Sequence, residues 1–172
     1  MNKPYDLIDI IGKPLTWIGR AIDMGTIGFG EKHETIDYKG QKVMKAEYAL
    51  HLQTPWRIVD EKTSEIIVAS YDMYVPRSDS EYTEYSEEFD WDIQGNNLYD
   101  EICEKLRKEE VYVEKVFLSK QNDIKIWFSN QTVLETFTNH SDNKGETWRF
   151  FKICDEDERI PHMVAYGTVI EW

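Results

Sequence analysis

Residues 44–59 read MKAEYALHLQTPWRIV, and their parity decides the fold class. Tyr48, Leu50, Leu52, Trp56 and Ile58 share one parity, while His51, Gln53 and Arg57 take the other. Alternation with a period of two is the mark of a strand that buries one face. Pro55 has no N–H to give a ladder, so it sets this segment at a sheet edge or a bulge. Downstream, EIIVASYDMYV (65–75) is a second strand-like run ended by Pro76, and DEKTS (60–64) between the two is a polar hairpin connection. Upstream, WIGRAIDMGTIGFGE (17–31) alternates apolar with small or polar residues. Its glycines at 19, 25, 28 and 30 imply bends, bulges or close backbone approach. Within it GTIGFG (25–30) shares a spacing with phosphate loops, but no Lys-Ser/Thr follows and no helix begins there, so that reading is discounted.

Asp6 to Ile11 reads as a short helix closed by Gly12 and Pro14. A long helix starts at Asn97 in NNLYDEICEKLRKE (96–109). Asn97 is its cap, Asp100 complements the dipole, and Leu98, Tyr99, Ile102, Cys103 and Leu106 form one apolar stripe. Strands are expected at 111–118, 123–129, 132–138 and 147–153, with hairpin turns at Gln121-Asn122 and Asn130-Gln131, and HMVAYGTVIEW (162–172) is a last strand. Consecutive strands on short turns with one long helix favour antiparallel pairing over βαβ units. The expected fold is therefore α+β: a single strongly curved or partly closed antiparallel sheet of about seven or eight strands, with one long helix and a short N-terminal helix. No linker divides the chain, so residues 1–172 are expected to form a single domain.

Charged residues make up 31% of the chain and mean hydropathy is −0.60, which argues against a membrane protein, and no run of 18 apolar residues exists. MNKPYDLIDIIGKP at the N-terminus lacks the apolar core of a secretory signal, which makes the cytoplasm the expected compartment. Cys103 and Cys154 are expected as reduced, buried small hydrophobes, although counting leaves one long-range disulfide open. The net charge is −13, and residues 51–110 supply most of it with sixteen acidic against six basic residues. Such a field repels phosphate backbones and anionic lipid, so neither nucleic acid nor membrane is an expected partner, whereas a basic protein is.

The candidate chemistry falls into two groups. Trp56-Arg57 and Trp148-Arg149 repeat a dipeptide that can stack and can receive a carboxylate, and Asp72 interrupts an apolar run. These residues form a candidate ligand pocket of Arg57, Asp72, Arg149, Trp56 and Trp148. The plainer account is that the arginines pair with Asp72, Glu146 or Asp90. The second group is the loop 77–96, in which Asp79, Glu81, Glu84, Glu87, Glu88, Asp90 and Asp92 interleave with Tyr82, Tyr85, Phe89 and Trp91, and no basic residue occurs from 78 to 104. It is a contact surface for a basic partner or a solvated connection whose aromatics tuck back. EYTEYSEEFDWDIQG (81–95) does not match a calcium loop. His33, His51, His140 and His162 lack zinc-site spacing, and His140-Ser141-Asp142 is a turn sequence, so no catalytic residue, metal or cofactor is assigned.

ALHLQTPWRI (49–58), Asp72 with Pro76, FDWDIQGNNLYD (89–100) and ETWRFF (146–151) together resemble a group of uncharacterised bacterial single-domain proteins sharing an LHxQxPWRI / WDxxGNxLYD / ExWRFF pattern. The resemblance spans most of residues 15–170 and implies a single bacterial domain without adding a catalytic residue. No stretch of the sequence spells out a reaction. Two readings of different class follow. One is a non-catalytic binding protein, such as an immunity-type inhibitor that neutralises a basic partner through its acidic face. The other is a small ligand-binding barrel or enzyme with a pocket around Arg57, Asp72 and Arg149.

Overall fold

The computed structural model describes residues 3–37, 39–153 and 160–172. Among them the elements are the strands β1 (Leu15–Ala21), β2 (Met24–Phe29), β3 (His33–Ile36), β4 (Lys42–Lys45), β5 (Tyr48–Leu52), β6 (Trp56–Asp60) and β7 (Ile66–Ala69), the helix α1 (Leu98–Leu106), and the strands β8 (Val113–Leu118), β9 (Ile124–Phe128), β10 (Thr132–Thr136), β11 (Glu146–Lys152), β12 (Met163–Tyr166) and β13 (Val169–Glu171). Two 3-10 turns, Leu7–Ile10 and Ser70–Tyr74, complete them. All strand pairs are antiparallel.

The single curved sheet expected from the sequence is not what forms. The strands divide into a six-stranded sheet in the order β1-β2-β5-β11-β12-β13, a five-stranded sheet in the order β7-β6-β10-β9-β8, and the two-stranded hairpin β3-β4. The division turns on Pro55. Residues 44–59 are not one strand with an edge proline: β5 lies in the larger sheet, β6 in the smaller, and the chain crosses between them at Gln53-Thr54-Pro55. The corner is held by backbone bonds, since the N–H groups of Gln53 and Thr54 both donate to the Thr147 carbonyl, at 2.9 and 3.0 Å, and Phe137 N–H donates to the Pro55 carbonyl at 2.8 Å. Residues 137–145 make the return crossing from β10 to β11. Pairs β5–β11 and β6–β10 thus carry the same two chain segments from one sheet into the other.

Two more runs read as single strands are also broken. Strand β7 stops at Ala69 because the Asp72 carboxylate accepts the Ala69 N–H at 2.8 Å and opens the 3-10 turn. The C-terminal run splits into β12 and β13 at Gly167, where φ is +55°. Helix α1 follows its sequence signals: the Asn97 side chain accepts from Asp100 N–H at 2.9 Å, and Tyr99 and Cys103 face inward.

Inward rows from both sheets and α1 meet in one core, including Ile18, Ile27, Leu50, Trp148 and Phe150 from the larger sheet, and Ile58, Val68, Ile126 and Leu134 from the smaller. Burying each large apolar side chain contributes roughly 1.5–3 kcal/mol. Direct contacts tie the layers: Trp148 Nε1 donates to the Asn122 carbonyl at 2.7 Å, and a Cβ at Gly25 in β2 would stand 2.7 Å from Trp56 Nε1 in β6. Burial pushes the Cys103 thiol up to about 12, and Cys154 lies outside the described residues. No described helix is long and apolar enough to cross a membrane.

Candidate functional site

The loop 77–96 joins the second 3-10 turn to α1, and its two ends are pinned side by side. Pro76 bridges Asn97, Leu98 N–H donates to the Val75 carbonyl at 2.7 Å, and Arg77 Nη1 donates to the Gly95 carbonyl at 3.0 Å. Beneath the loop lies Arg20 of β1. Its side chain is 1% exposed and makes a two-pronged ion pair with Asp100, Nε to Oδ1 and Nη2 to Oδ2 both at 3.0 Å. The same guanidinium donates to the carbonyls of Ile22 at 2.9 Å, Trp91 at 3.1 Å and Ile93 at 3.2 Å. A buried charge persists only when paired and fully hydrogen-bonded, and Arg20 meets that condition by gathering loop carbonyls around itself. Asp100 in turn accepts the Gly95 N–H at 2.7 Å. The next residue of α1, Glu101, accepts from Lys105 at 2.8 Å and from the N–H and hydroxyl of Ser78. These donors hold its carboxyl down at about 2.

The sequence reading missed Arg20. The signal was present, because Arg20 stands two residues after Ile18 and so shares the core parity of an otherwise apolar and small-residue strand. From the sequence Asp100 reads only as a complement to the helix dipole.

Above this anchored base the loop is open. Asp79, Glu81, Glu84, Glu87, Glu88, Asp90 and Asp92 are all exposed, and among the described residues the only ion pair they make is Asp79 with Arg77 at 3.3 Å. Tyr85 is 87% exposed and Tyr82 39%, whereas Phe89 and Trp91 are half-buried. The rings are not scattered. Trp91 meets Tyr74 edge-on at 4.9 Å, and Tyr71, itself 65% exposed, lies 5.8 Å from Tyr74. A hydrogen bond to Glu84 raises the Tyr85 phenol pKa, and the nearby Tyr71 adds a smaller rise. Burial and then the charge of Asp23 raise that of Tyr74, and Arg20, bonded to the carbonyls of both Ile22 and Trp91, holds the β1–β2 turn beside the same shelf. That turn carries Ile22, exposed and at φ +58°, a conformation that costs a β-branched residue strain. Flat rings set among unpaired carboxylates suit lysine and arginine, which the acids pair and the ring faces attract.

The other candidate residues do not converge. Arg57 stands on the outer face of the smaller sheet and donates to Glu135, Nε at 3.0 Å and Nη2 at 2.9 Å, with Lys125 at 2.7 Å on the far side. Lys125 and Arg57 together lower the Glu135 carboxyl against some desolvation. Asp72 is not Arg57's partner. It is half-buried, burial raises its pKa, and its described bond is the one from Ala69. Arg149 belongs to the other sheet, where Nη2 meets Glu146 at 2.6 Å and Nη1 stands 3.3 Å from His162 Nδ1. Burial, followed by the charge of Arg149, lowers both His51 and His162. Trp56 and Trp148 are core residues, 3% and 0% exposed. A hollow of about 620 Å³ borders Trp56 and Arg57, but neither Asp72 nor Arg149 is among its described lining residues.

No family model, no curated protein and no solved structure matches this chain.

Proposed function

We propose that this chain is a non-catalytic binding protein, of the immunity-inhibitor type, that holds a basic protein partner on loop 77–96 and the adjoining shelf of Tyr71, Tyr74 and Trp91. The observation that carries the reading is Tyr85, 87% exposed beside Glu84, Glu87 and Glu88, which make no ion pair among the described residues. Aromatic rings offer large contact area at low conformational cost, and they commonly anchor interfaces. The clustered carboxylates repel one another in the free protein, and a cationic partner relieves that repulsion while charge steers the encounter. The buried Arg20–Asp100 pair fixes the loop's base beforehand, so less ordering is left for binding. The same negative field disfavours nucleic acid and anionic membrane as partners. The reading places the protein in the cytoplasm.

Capture from a lysate of the source cells tests the idea when three baits run in parallel: the native chain, E84K/E87K/E88K, and Y71A/Y85A. A basic protein retained by the native chain and lost by both variants supports the proposal. Equal retention by all three baits removes the loop face from the function.

A further inference from the structure

The outer face of the six-stranded sheet carries a groove of a different character. Strands β2 and β5 pair up to Phe29↔Tyr48, after which the chain bends and continues as the β3–β4 hairpin. The bend requires Gly30, at φ +90°, where a Cβ would also stand 2.2 Å from the Glu47 carboxylate. Between the bent hairpin and the sheet lies a hollow of about 470 Å³. Its floor is a cross-strand row, Gly28 opposite Ala49, which is in turn opposite Phe151, with Ala46 and Trp17 closing over Gly28. Trp17, Met44 and Ile153 complete the apolar walls, with Trp17 42% and Met44 59% exposed.

The described ionisable groups that line this groove are all basic, and Thr26 adds a hydroxyl. Among the described residues its lining includes Lys32, Lys45 and His51 and no carboxylate, in a chain of net charge −13. Neither lysine has an ion pair among the described residues, although their neighbours do: Lys42 pairs with Glu34 at 2.8 Å and Lys13 with Glu47 at 2.6 Å. Glu34 and Glu47 are thus already engaged, Arg149 next to His51 is held by Glu146, and the carboxylates nearest Lys32, Glu31 with Glu109 and Glu110, line a separate hollow on its other side. Ligand sites are typically concavities of roughly 300–1,000 Å³ with apolar walls and a few placed polar groups, and this groove has that make-up.

We propose that the groove binds a small aromatic organic anion, its ring system lying on Ala49 between Trp17 and Phe151 and its acid group facing Lys32 and Lys45. The site lies on the larger sheet, apart from the acidic loop, and does not depend on the partner reading.

Naphthoate and naphthylmethylammonium carry the same ring system with opposite charge, and amide NMR titration locates and measures the binding of each. Naphthoate is expected to shift the amides of Thr26, Ala49 and Phe151 saturably, with the cation at least about tenfold weaker. K32E/K45E, at two exposed surface positions, should weaken naphthoate by about tenfold or more, and A49F, which fills the floor, should abolish binding while the protein still melts cooperatively. Equal affinity for the two ions, shifts centred outside the groove, or unchanged binding by K32E/K45E would each overturn the proposal. If A49F fails to fold, the lysine variant decides.

Discussion

Replacing Arg20 by methionine is the most informative single perturbation of this fold. The substitution keeps the apolar stem and removes a charge whose side chain is 1% exposed. Asp100, 2% exposed, would keep only the Gly95 N–H and the dipole of α1 to balance its own charge. The carbonyls of Ile22, Trp91 and Ile93 would lose their donor at the same time. Breaking a buried pair from one side typically costs about 3–5 kcal/mol, because the surviving charge stays out of water. A domain's whole stability is about 5–15 kcal/mol, so R20M should lose a large share of it in urea unfolding. R20M/D100L removes the stranded charge as well and should recover part of the loss. Hydrogen exchange gives the local reading: without the Arg20 bonds to Trp91 and Ile93 the loop's base opens more often, so the Gly95 amide, protected in the native chain, should exchange faster in R20M. A loss below about 1 kcal/mol with unchanged exchange at Gly95 would refute the view that Arg20 anchors the acidic loop.

Trp148→Ala and Trp56→Ala should each cost about 3–5 kcal/mol in chemical denaturation, and a loss under about 1 kcal/mol at both would contradict their burial. A double-mutant cycle on Arg57 and Glu135 should give a coupling of about 0.2–1 kcal/mol, as befits an exposed pair, while Arg57 and Asp72 should be additive within about 0.5 kcal/mol. Glu101 has its folded pKa depressed from 4.5 to about 2, so its stabilising contribution is complete above the unfolded value and disappears as pH falls from 4.5 toward 2. E101Q should therefore flatten the acid limb of stability against pH in that window, and an unchanged limb would contradict the Ser78–Glu101–Lys105 cluster.

Local patterning made much of the secondary structure legible. Parity exposed the strands from Tyr48 to Ile58, the spacing of hairpin turns located those between 111 and 153, and the Asn97 cap with its apolar stripe located α1. The number of sheets was not legible, because alternation reports which face is buried and not which neighbour a strand pairs with. In the sequence Pro55 signals a sheet edge or a bulge, while in the fold it marks the crossing between sheets. The hairpin β3–β4 escaped notice because its strand Lys42–Lys45 is largely exposed and carries no apolar alternation. At the site, composition alone exposed the acidic and aromatic character of residues 79–92. Its base was hidden because Arg20 and Asp100 are 80 residues apart, and only the packing of α1 against β1 brings them together. The shelf was hidden in part because Tyr71 and Tyr74 read as strand residues, whereas Asp72 turns them onto a 3-10 segment beside Trp91.

The central claim is that the acidic aromatic loop recruits a basic partner, and the association rate of the captured partner as a function of salt tests it most directly. Charge steering raises on-rates by about 10–1,000-fold and fades as ionic strength rises. The native chain should associate fast at low salt and slow steeply as salt is added. E84K/E87K/E88K should associate at least about tenfold more slowly at low salt and show a nearly flat salt dependence, with its melting temperature retained. The same rate and the same salt slope in the triple variant would contradict the claim and leave loop 77–96 as a solvated connection.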